Sequence, residues 1–520
     1  MRVVSAQQMS RLEDKALRDF GIPSILLMEN AALAVVREIS QHFAENKQNS
    51  VGLKAVVLVG KGNNGGDGLA IARHLTVLGY DVTVFLLAKP QEIKGDAELN
   101  FHLFSSTVGK LFIIEGEKQR RLARFAFAQA DVAVDALYGT GLRGAMPSIV
   151  EEYIEEINRA KAWVVAVDIP SGVEADTGKV YRLAVRADVT ITFGLPKLGH
   201  FLGRGPEHCG QVIVDPISIP PSFLEDEEIS CFVLTDQAMR ALIPPRHFQN
   251  HKGTHGRGIL VAGSLGMSGA AVLSGRSALR SGLGLLQIVT PRGIVPLVAN
   301  GVIEGTVWAA SGEKELDAEA WPIIRERCQG AQALAIGPGL GLNAQFSTVL
   351  ENVLRNIALP VILDADALNI VALEPGILGC RQGRGPLILT PHPGEMGRLC
   401  NLTTLEVQKN RLELAVSKAI EWGAIVVLKG AITIVAAPDG RAFLNPTGNP
   451  GLGTGGTGDV LTGSILGWLA QGVQPLEAAC LAVYLHGKAA ELLAKEFGWA
   501  GFTASELADI LPKARRQLEG

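Results

Sequence analysis

Three features of the sequence predict two α/β domains in tandem, each a mostly parallel sheet with helices on both faces. Strand-like apolar runs alternate with helical patterns through the first half. The alternation restarts near residue 256, and an aperiodic stretch separates the two halves. In order, "KAVVLVG" (54–60), "DVTVFLLA" (81–88), "KLFIIE" (110–115), "DVAVDAL" (131–137), "AWVVAVDI" (162–169), "ADVTITF" (187–193) and "GQVIVDPI" (210–217) have the near-continuous apolar character of strands buried on both faces. Residues 5–20 have the spacing of an amphipathic helix leading in. "GGDGLAIARHLTVLG" (65–79) is one of the helical stretches that make successive βαβ units. "ISIPPSFLEDEEIS" (217–230) joins a proline pair to an acidic run and reads as a linker. Beyond it come "GRGILVAGS" (256–264), "LLQIVT" (285–290), "ALAIGPGLG" (333–341), "LPVILDADAL" (359–368) and "PLILTPHPGE" (386–395). The pattern changes at "AIVVLKGAITIVAAPDGRAFLNPTG" (424–448), where two apolar runs joined by "APDG" predict an antiparallel pair. Helices dominate from 457 onward. The expected domains are residues 1–220 and 235–520, with 221–234 between them.

Composition narrows the function classes. A chain of 520 residues is too long for one ordinary domain, and about two to four are expected. With 47% apolar and 19% charged residues it suits well-buried globular domains rather than disorder. A net charge of −4 gives no reason to expect nucleic acid or an anionic membrane as partner. The six cysteines form no C-x-x-C pair, which argues against a zinc site or disulfide framework and suits a reducing cytoplasm. The N-terminus has no apolar core of signal-peptide length, and no window of about 18 uncharged apolar residues calls for a membrane span. A cytoplasmic enzyme is expected, as a homo-oligomer, binding neither nucleic acid nor membrane.

Three strand ends of the first half carry chemistry. "GKGNNGGDG" (60–68) follows a strand and opens a helix, at the sheet edge where open α/β folds bind ligands. It is neither a P-loop nor a G-x-G-x-x-G fingerprint. "VDALYGTGLRGA" (134–145) and "VDIPSGVEADTG" (167–178) end two further strands. Asn64, Asp135 and Ser171 are hard oxygen donors suited to an alkali or alkaline-earth cation, and Asp168 is left as a candidate acid or base. Each taken singly also suits a cap or turn.

In the second half, His392 lies between two prolines, suited either to a ligand or to a backbone hydrogen bond. Asp364 and Asp366 either face one way, or one of them caps the following helix. Lys429 ends an apolar strand beside Gly430, well placed to meet a phosphate. Then comes "NPGLGTGGTGD" (449–459), whose glycines let successive N–H groups converge on an anion and whose following residues are helical. Asp459 there reads as an N-cap when taken alone. Together with a phosphate-binding lysine it reads as a general base for chemistry on a nucleotide.

These motifs, in this order, carry a resemblance. "HKGTHGRGILVAGS", "GPGLG", "DADALN", "LTPHPGEM", "LKGAIT" and "NPGLGTGGTGD" closely resemble the ADP/ATP-dependent NAD(P)H-hydrate dehydratases of the ribokinase-like superfamily. "GKGNNGGDG", "DALYGTGLRG" and "DIPSGVEADTG" resemble the Rossmann-like NAD(P)H-hydrate epimerases, and the fusion resembles the bifunctional repair enzymes of bacteria and archaea. The resemblance implies hydrate-binding loops at Asn63, Asn64, Gly65, Gly66 and Asp67 and at Gly139, Thr140, Gly141, Leu142, Arg143, Gly144 and Ala145, with Asp168 also at the substrate. It implies K⁺ held by Asn64, Asp135 and Ser171. In the second domain it implies hydrate contacts at Ala270, Gly339, His392 and Asp459, and nucleotide contacts at Lys429, Gly430, Ala431, Ile432, Thr433 and Gly458. Catalysis falls to Asp168 and Asp459, with NAD(P)H hydrates, NAD(P)H, ADP or ATP with Mg²⁺, and AMP as the small molecules handled. The competing expectation is a small-molecule kinase sharing the GTGD chemistry, with a nucleotide-binding N-terminal module.

Overall fold

A computed structural model of the chain describes residues 1–46, 52–114, 116–381 and 383–520. It divides into two compact units, Arg2–Ile229 and Ser230–Gly520. The first contains seven strands, β1 (Lys54–Val59), β2 (Asp81–Leu86), β3 (Lys110–Ile113), β4 (Val132–Ala136), β5 (Trp163–Val167), β6 (Val189–Phe193) and β7 (Gln211–Asp215). They run in the order β3-β2-β1-β4-β5-β6-β7, every pair parallel. All seven apolar runs read from the sequence are these strands; burial keeps the five inner ones largely apolar, while the edges β3 and β7 are only partly buried. The leading helix is Ala6–Lys15, begun by a capping box in which Ser5 and Gln8 exchange hydrogen bonds. The order reverses direction between β1 and β4, and that switch point opens a crevice at the strands' C-terminal ends.

The second unit builds a ten-stranded sheet from β8 (Cys231–Val233), β9 (Arg257–Val261), β10 (Leu285–Pro291), β11 (Thr306–Ala310), β12 (Ala333–Ile336), β13 (Val361–Leu363), β14 (Leu387–Leu389), β15 (Ile425–Leu428), β16 (Thr433–Ala436) and β17 (Ala442–Asn445). The order is β11-β10-β9-β12-β13-β14-β15-β16-β17-β8, parallel from β11 through β15 and antiparallel from β15 to β17. Its switch point lies between β9 and β12. The predicted antiparallel pair is part of a three-stranded meander: "APDG" joins β16 to β17, and "KGAI" makes a second reversal after β15.

Two strands have no counterpart among the predicted runs, and both lie at sheet edges. β11 has one buried residue in five, so its apolar signal is weak. β8 falls inside the 221–234 interval expected between the domains and pairs with β17. Ile219 and Ile229 of the 217–230 stretch read as a linker are buried in the first core rather than solvated. The helix Thr457–Ala470 is apolar nearly all round because it is enclosed within the second core, where Ile465 and Leu466 join Ala278, Val460 and Leu507. Full burial of each such leucine or isoleucine contributes about 1.5–3 kcal/mol. Among the described residues no helix is long and apolar enough to cross a membrane.

Candidate active sites

In the first domain the loops after β1 and β4 meet at the switch point. A Cβ on Gly60 would lie 2.1 Å from the Leu137 carbonyl oxygen, and one on Gly65 2.0 Å from that of Gly60. Glycine at position 60 lets the two loops close on one another, and at position 65 lets the first loop fold back on itself. Beside them lies a cavity of about 1280 Å³, lined by Asn63, Asn64, Asp67, Gly139, Thr140, Gly141, Leu142 and Asp168 among others. It exceeds the roughly 300–1,000 Å³ of a drug-sized pocket and has room for a dinucleotide. Gly65 and Gly66 face the interior, Gly66 toward Met28 and Ala97. Arg143, Gly144 and Ala145 are not among the lining residues, and Arg143 pairs with Asp176 at 2.9 Å.

Behind the loops, Ser171 donates from Oγ to Asp135 Oδ1 at 2.6 Å and from its N–H to Oδ2 at 2.7 Å. Burial pushes the Asp135 carboxyl up to about 6, against these hydrogen bonds. Asn64 lies within 3.4 Å of where a Cβ on Gly139 would stand. Both polar atoms of its side-chain amide are buried with no hydrogen-bond partner. An orphaned amide oxygen, on the loop that closes against the end of the strand carrying Asp135, suits a weakly hydrated hard cation.

Asp168 follows β5 in the left-handed region, at φ +66°. Lys197 Nζ donates to its Oδ1 at 2.5 Å, to Thr192 Oγ1 at 2.9 Å and to the Phe193 carbonyl at 3.0 Å. Thr192 donates to the same Oδ1 at 2.9 Å, which leaves Oδ2 without a protein partner. Burial works to raise the Asp168 carboxyl, but Lys197 outweighs it and holds the group below its usual value. His200 Nδ1 accepts from the Lys197 N–H and Nε2 donates to the Asp168 carbonyl. Burial and Lys197 lower that imidazole to about 4, so it is neutral.

In the second domain, Ala270 and Gly339 meet at the switch point, where a Cβ on Gly339 would lie 2.9 Å from that of Ala270. Gly456, at φ +88°, caps the helix Thr457–Ala470. Asp459 therefore stands in the first turn as its third residue, and the N-cap reading falls. Among the described residues its carboxyl accepts no hydrogen bond, and burial followed by the charge of Asp364 pushes it up to about 7. Lys429 Nζ instead donates to Asp364 Oδ1 at 2.8 Å and lies 3.8 Å from Glu395 Oε2. A Cβ on Gly458 would lie 3.5 Å from that ammonium group.

Asp364 also accepts from Thr390 at 2.8 Å and from Thr462 at 2.6 Å. Burial opposes its ionisation, yet Lys429 and the two hydroxyls hold it below the usual range. Asp366 faces elsewhere and accepts from the Gly341 N–H at 2.9 Å. The pair neither shares a direction nor caps a helix, since Ala365 is the N-cap of the helix that follows. His392 caps the helix Pro393–Cys400 through Nδ1, in a box with Glu395, while half its side chain stays exposed.

Comparison with known proteins adds an independent line. Residues 24–199 match the family described as YjeF-related protein N-terminus, and residues 259–513 match NAD(P)H-hydrate dehydratase. Bifunctional NAD(P)H-hydrate repair enzymes from Moorella thermoacetica and Thermofilum pendens are 41% and 38% identical to the whole chain, which covers 97% of each. The Escherichia coli enzyme of that name is 34% identical over 88% of this chain and 84% of its own. The chain belongs to the bifunctional NAD(P)H-hydrate repair enzymes. A crystal structure of the ADP/ATP-dependent NAD(P)H-hydrate dehydratase of Bacillus subtilis is 39% identical and covers 55% of this chain and 99% of that one, at a TM-score of 0.48. Full-length relatives bearing the repair-enzyme name do not favour the kinase alternative.

In this repair enzyme a Rossmann-like and a ribokinase-like α/β fold thus follow one another. Three of its residues escape a reading by motif. Lys197 lies in an apolar loop 29 residues from Asp168, where a lone lysine was the only signal. Arg411 donates to the carbonyls of Leu428, Lys429 and Ile432 and so clamps the Lys429–Thr433 loop from behind. It also fills the space a Cβ on Gly430 would need, 2.1 Å from its Nη1. His486 accepts no motif reading either, yet its buried Nε2 meets the Thr457 carbonyl at 2.9 Å and braces the helix that carries Asp459.

Proposed function

We propose that the two domains repair one damaged metabolite in succession. The N-terminal domain interconverts the R and S hydrates of NADH and NADPH, and the C-terminal domain dehydrates the S form at the expense of ADP, releasing AMP and phosphate. The observation that carries the reading is Asp459: a half-buried carboxyl, without a hydrogen-bond partner among the described residues, in the first turn of a helix opened by glycines, beside a lysine engaged by a different carboxylate.

The hydrate carries a hydroxyl on a saturated ring carbon next to the ring nitrogen, and hydroxide is a poor leaving group. Asp459 takes the hydroxyl proton while the glycine N–H groups and Lys429 hold the transferring phosphoryl group. The phosphate ester then breaks at carbon, expelled by the nitrogen lone pair. Loss of a proton from the neighbouring carbon restores the dihydropyridine. Lys429–Thr433 and Gly458 contact the nucleotide, which arrives as its Mg²⁺ complex. Ala270, Gly339 and His392 contact the hydrate.

In the first domain the loops Asn63–Asp67 and Gly139–Leu142 bind the hydrate, with Asp168 at the reacting carbon. Asn64, Asp135 and Ser171 would hold K⁺, supported by the orphaned Asn64 amide. A bound K⁺ would supply a fixed positive charge under the loops. Replacing KCl by choline chloride should then lower the melting temperature of the wild type, and should not affect Asn64→Ala. Recovery of NADH absorbance from a mixed R/S hydrate with ADP and Mg²⁺ tests the function as a whole. Complete recovery supports both activities, a halt at the S fraction removes the epimerase, and no recovery removes the dehydratase.

A further inference from the structure

Three carboxyl groups and one ammonium group gather at the wall of the N-terminal cavity. Glu13 comes from the leading helix, Asp67 from the helix after β1, and Asp168 from the end of β5; all three line the cavity. Asp67 lies within electrostatic reach of Asp168, Glu13 and Lys197, and Glu13 within reach of Lys197, Asp168 and Asp14. Asp168 alone has a direct counter-charge, through Lys197 Nζ. Asp67 is only 9% exposed, yet among the described residues no hydrogen bond or ion pair reaches its carboxyl, and it lines the cavity. A buried carboxylate left this way is costly unless it carries a proton.

The geometry points to Asp67 as the proton donor that works opposite Asp168 in the epimerisation, a role that rests on the epimerase reading above. Burial, then the charges of Asp168 and Glu13, push the Asp67 carboxyl well above its usual value, whereas Asp168 stays below its own. His200, which touches Asp168 through the backbone carbonyl, is neutral and adds no charge. Two carboxyls driven apart in this way make an acid and a base at one pH.

The step balances without any redox partner. Asp67 gives its proton to the hydroxyl oxygen, the C–O bond breaks, and its electron pair leaves with water. The nitrogen lone pair closes to a C=N⁺ bond. Water then adds to the opposite face, its proton passes to the Asp168 carboxylate, and the C=N pair returns to nitrogen. One water leaves and one enters, and exchange with solvent returns the two carboxyls to their starting states.

The test follows S-to-R inversion of NADH hydrate by chromatography, with full-length protein and no nucleotide, in ordinary and ¹⁸O-labelled water. Wild type should gain one labelled oxygen per inversion above the uncatalysed background. Asp67→Asn should lower kcat by about 10²–10⁴-fold with KM little changed, and should remove the alkaline limb of the pH profile. Inversion without label overturns the inference and requires no variant that must fold. So does an Asp67→Asn protein as fast as wild type, or a loss that follows Glu13→Gln instead. A wild type that inverts nothing overturns the epimerase reading itself, which separates the two failures.

Discussion

Each domain sets an aspartate near a lysine, and the two pairs are wired in opposite ways. In the N-terminal domain the three ammonium protons of Lys197 are engaged by Asp168, Thr192 and the Phe193 carbonyl, and Asp168 stays ionised although buried. In the C-terminal domain Lys429 is bound to Asp364, and Asp459 is left without a direct partner and pushed up to about 7. Charge state is therefore set by which carboxylate holds the lysine, not by a lysine being near. The first arrangement gives a carboxylate ready at any ordinary pH. The second gives one whose proton affinity matches a substrate hydroxyl's need for a base near neutrality.

The largest expected effect comes from removing the unpaired member. Asp459→Asn should lower dehydration by about 10²–10⁴-fold, read as NADH absorbance, while S-to-R inversion continues at the wild-type rate. A parallel loss of both activities would break the division of labour between the domains. Next comes the paired member. Lys197→Met leaves Asp168 buried without counter-charge, which costs about 3–5 kcal/mol of stability in urea denaturation. The Asp168 carboxyl then rises, so inversion should fall about 10–100-fold at pH 6 and recover as pH rises. A profile that keeps its shape would mean that Lys197 only supports the fold.

Much of this layout was legible in the sequence, and what was not has a common cause. The inner strands of the first sheet were readable because they are buried, and its edges β3 and β7 because "LFI" and "VIV" stay apolar although half solvated; β8 and β11 are half-solvated edges as well, β8 only three residues long. The strand-end donors Asp135 and Ser171 are 36 residues apart in sequence and joined directly in space, as parallel strands with short loops require. Lys197, Asp364 and Arg411 act through other side chains or the backbone, and nothing in their own neighbourhood marks the partner. Asp364 shows this best: the sequence offered it as facing one way with Asp366 or as a helix cap, yet its bonds run to Thr390, Lys429 and Thr462. Of the two readings of His392 the backbone one is seen, since its Nδ1 accepts from the Gly394 and Glu395 N–H groups, while the rest of the ring remains open.

Rewiring the second pair to resemble the first should sharpen the contrast. In wild type, dehydration should decline below pH 7, about tenfold per unit once Asp459 is protonated. Asp364→Asn removes a negative charge that raises Asp459 and frees Lys429 to approach it. The acid limb of the profile should then move down by about one unit or more. An unmoved limb would mean that Asp364 acts only as a scaffold.

The smallest effect lies in stability. The Asp459 carboxyl binds its proton more tightly folded, at about 7, than unfolded, at the ordinary 3.8. Its contribution to stability is thus complete below pH 4 and is lost as pH rises to 7, above which the folded domain carries an unpaired, half-buried charge. Asp459→Asn removes that burden. The inactive variant should melt a few degrees above wild type at pH 8, with the difference shrinking toward zero as pH approaches 4. Lys197→Met should do the opposite and melt lower at pH 8. A variant of Asp459 that melts with wild type at both pH values would mean the carboxyl is already matched by a partner, and the two aspartates would then differ less than their contacts imply.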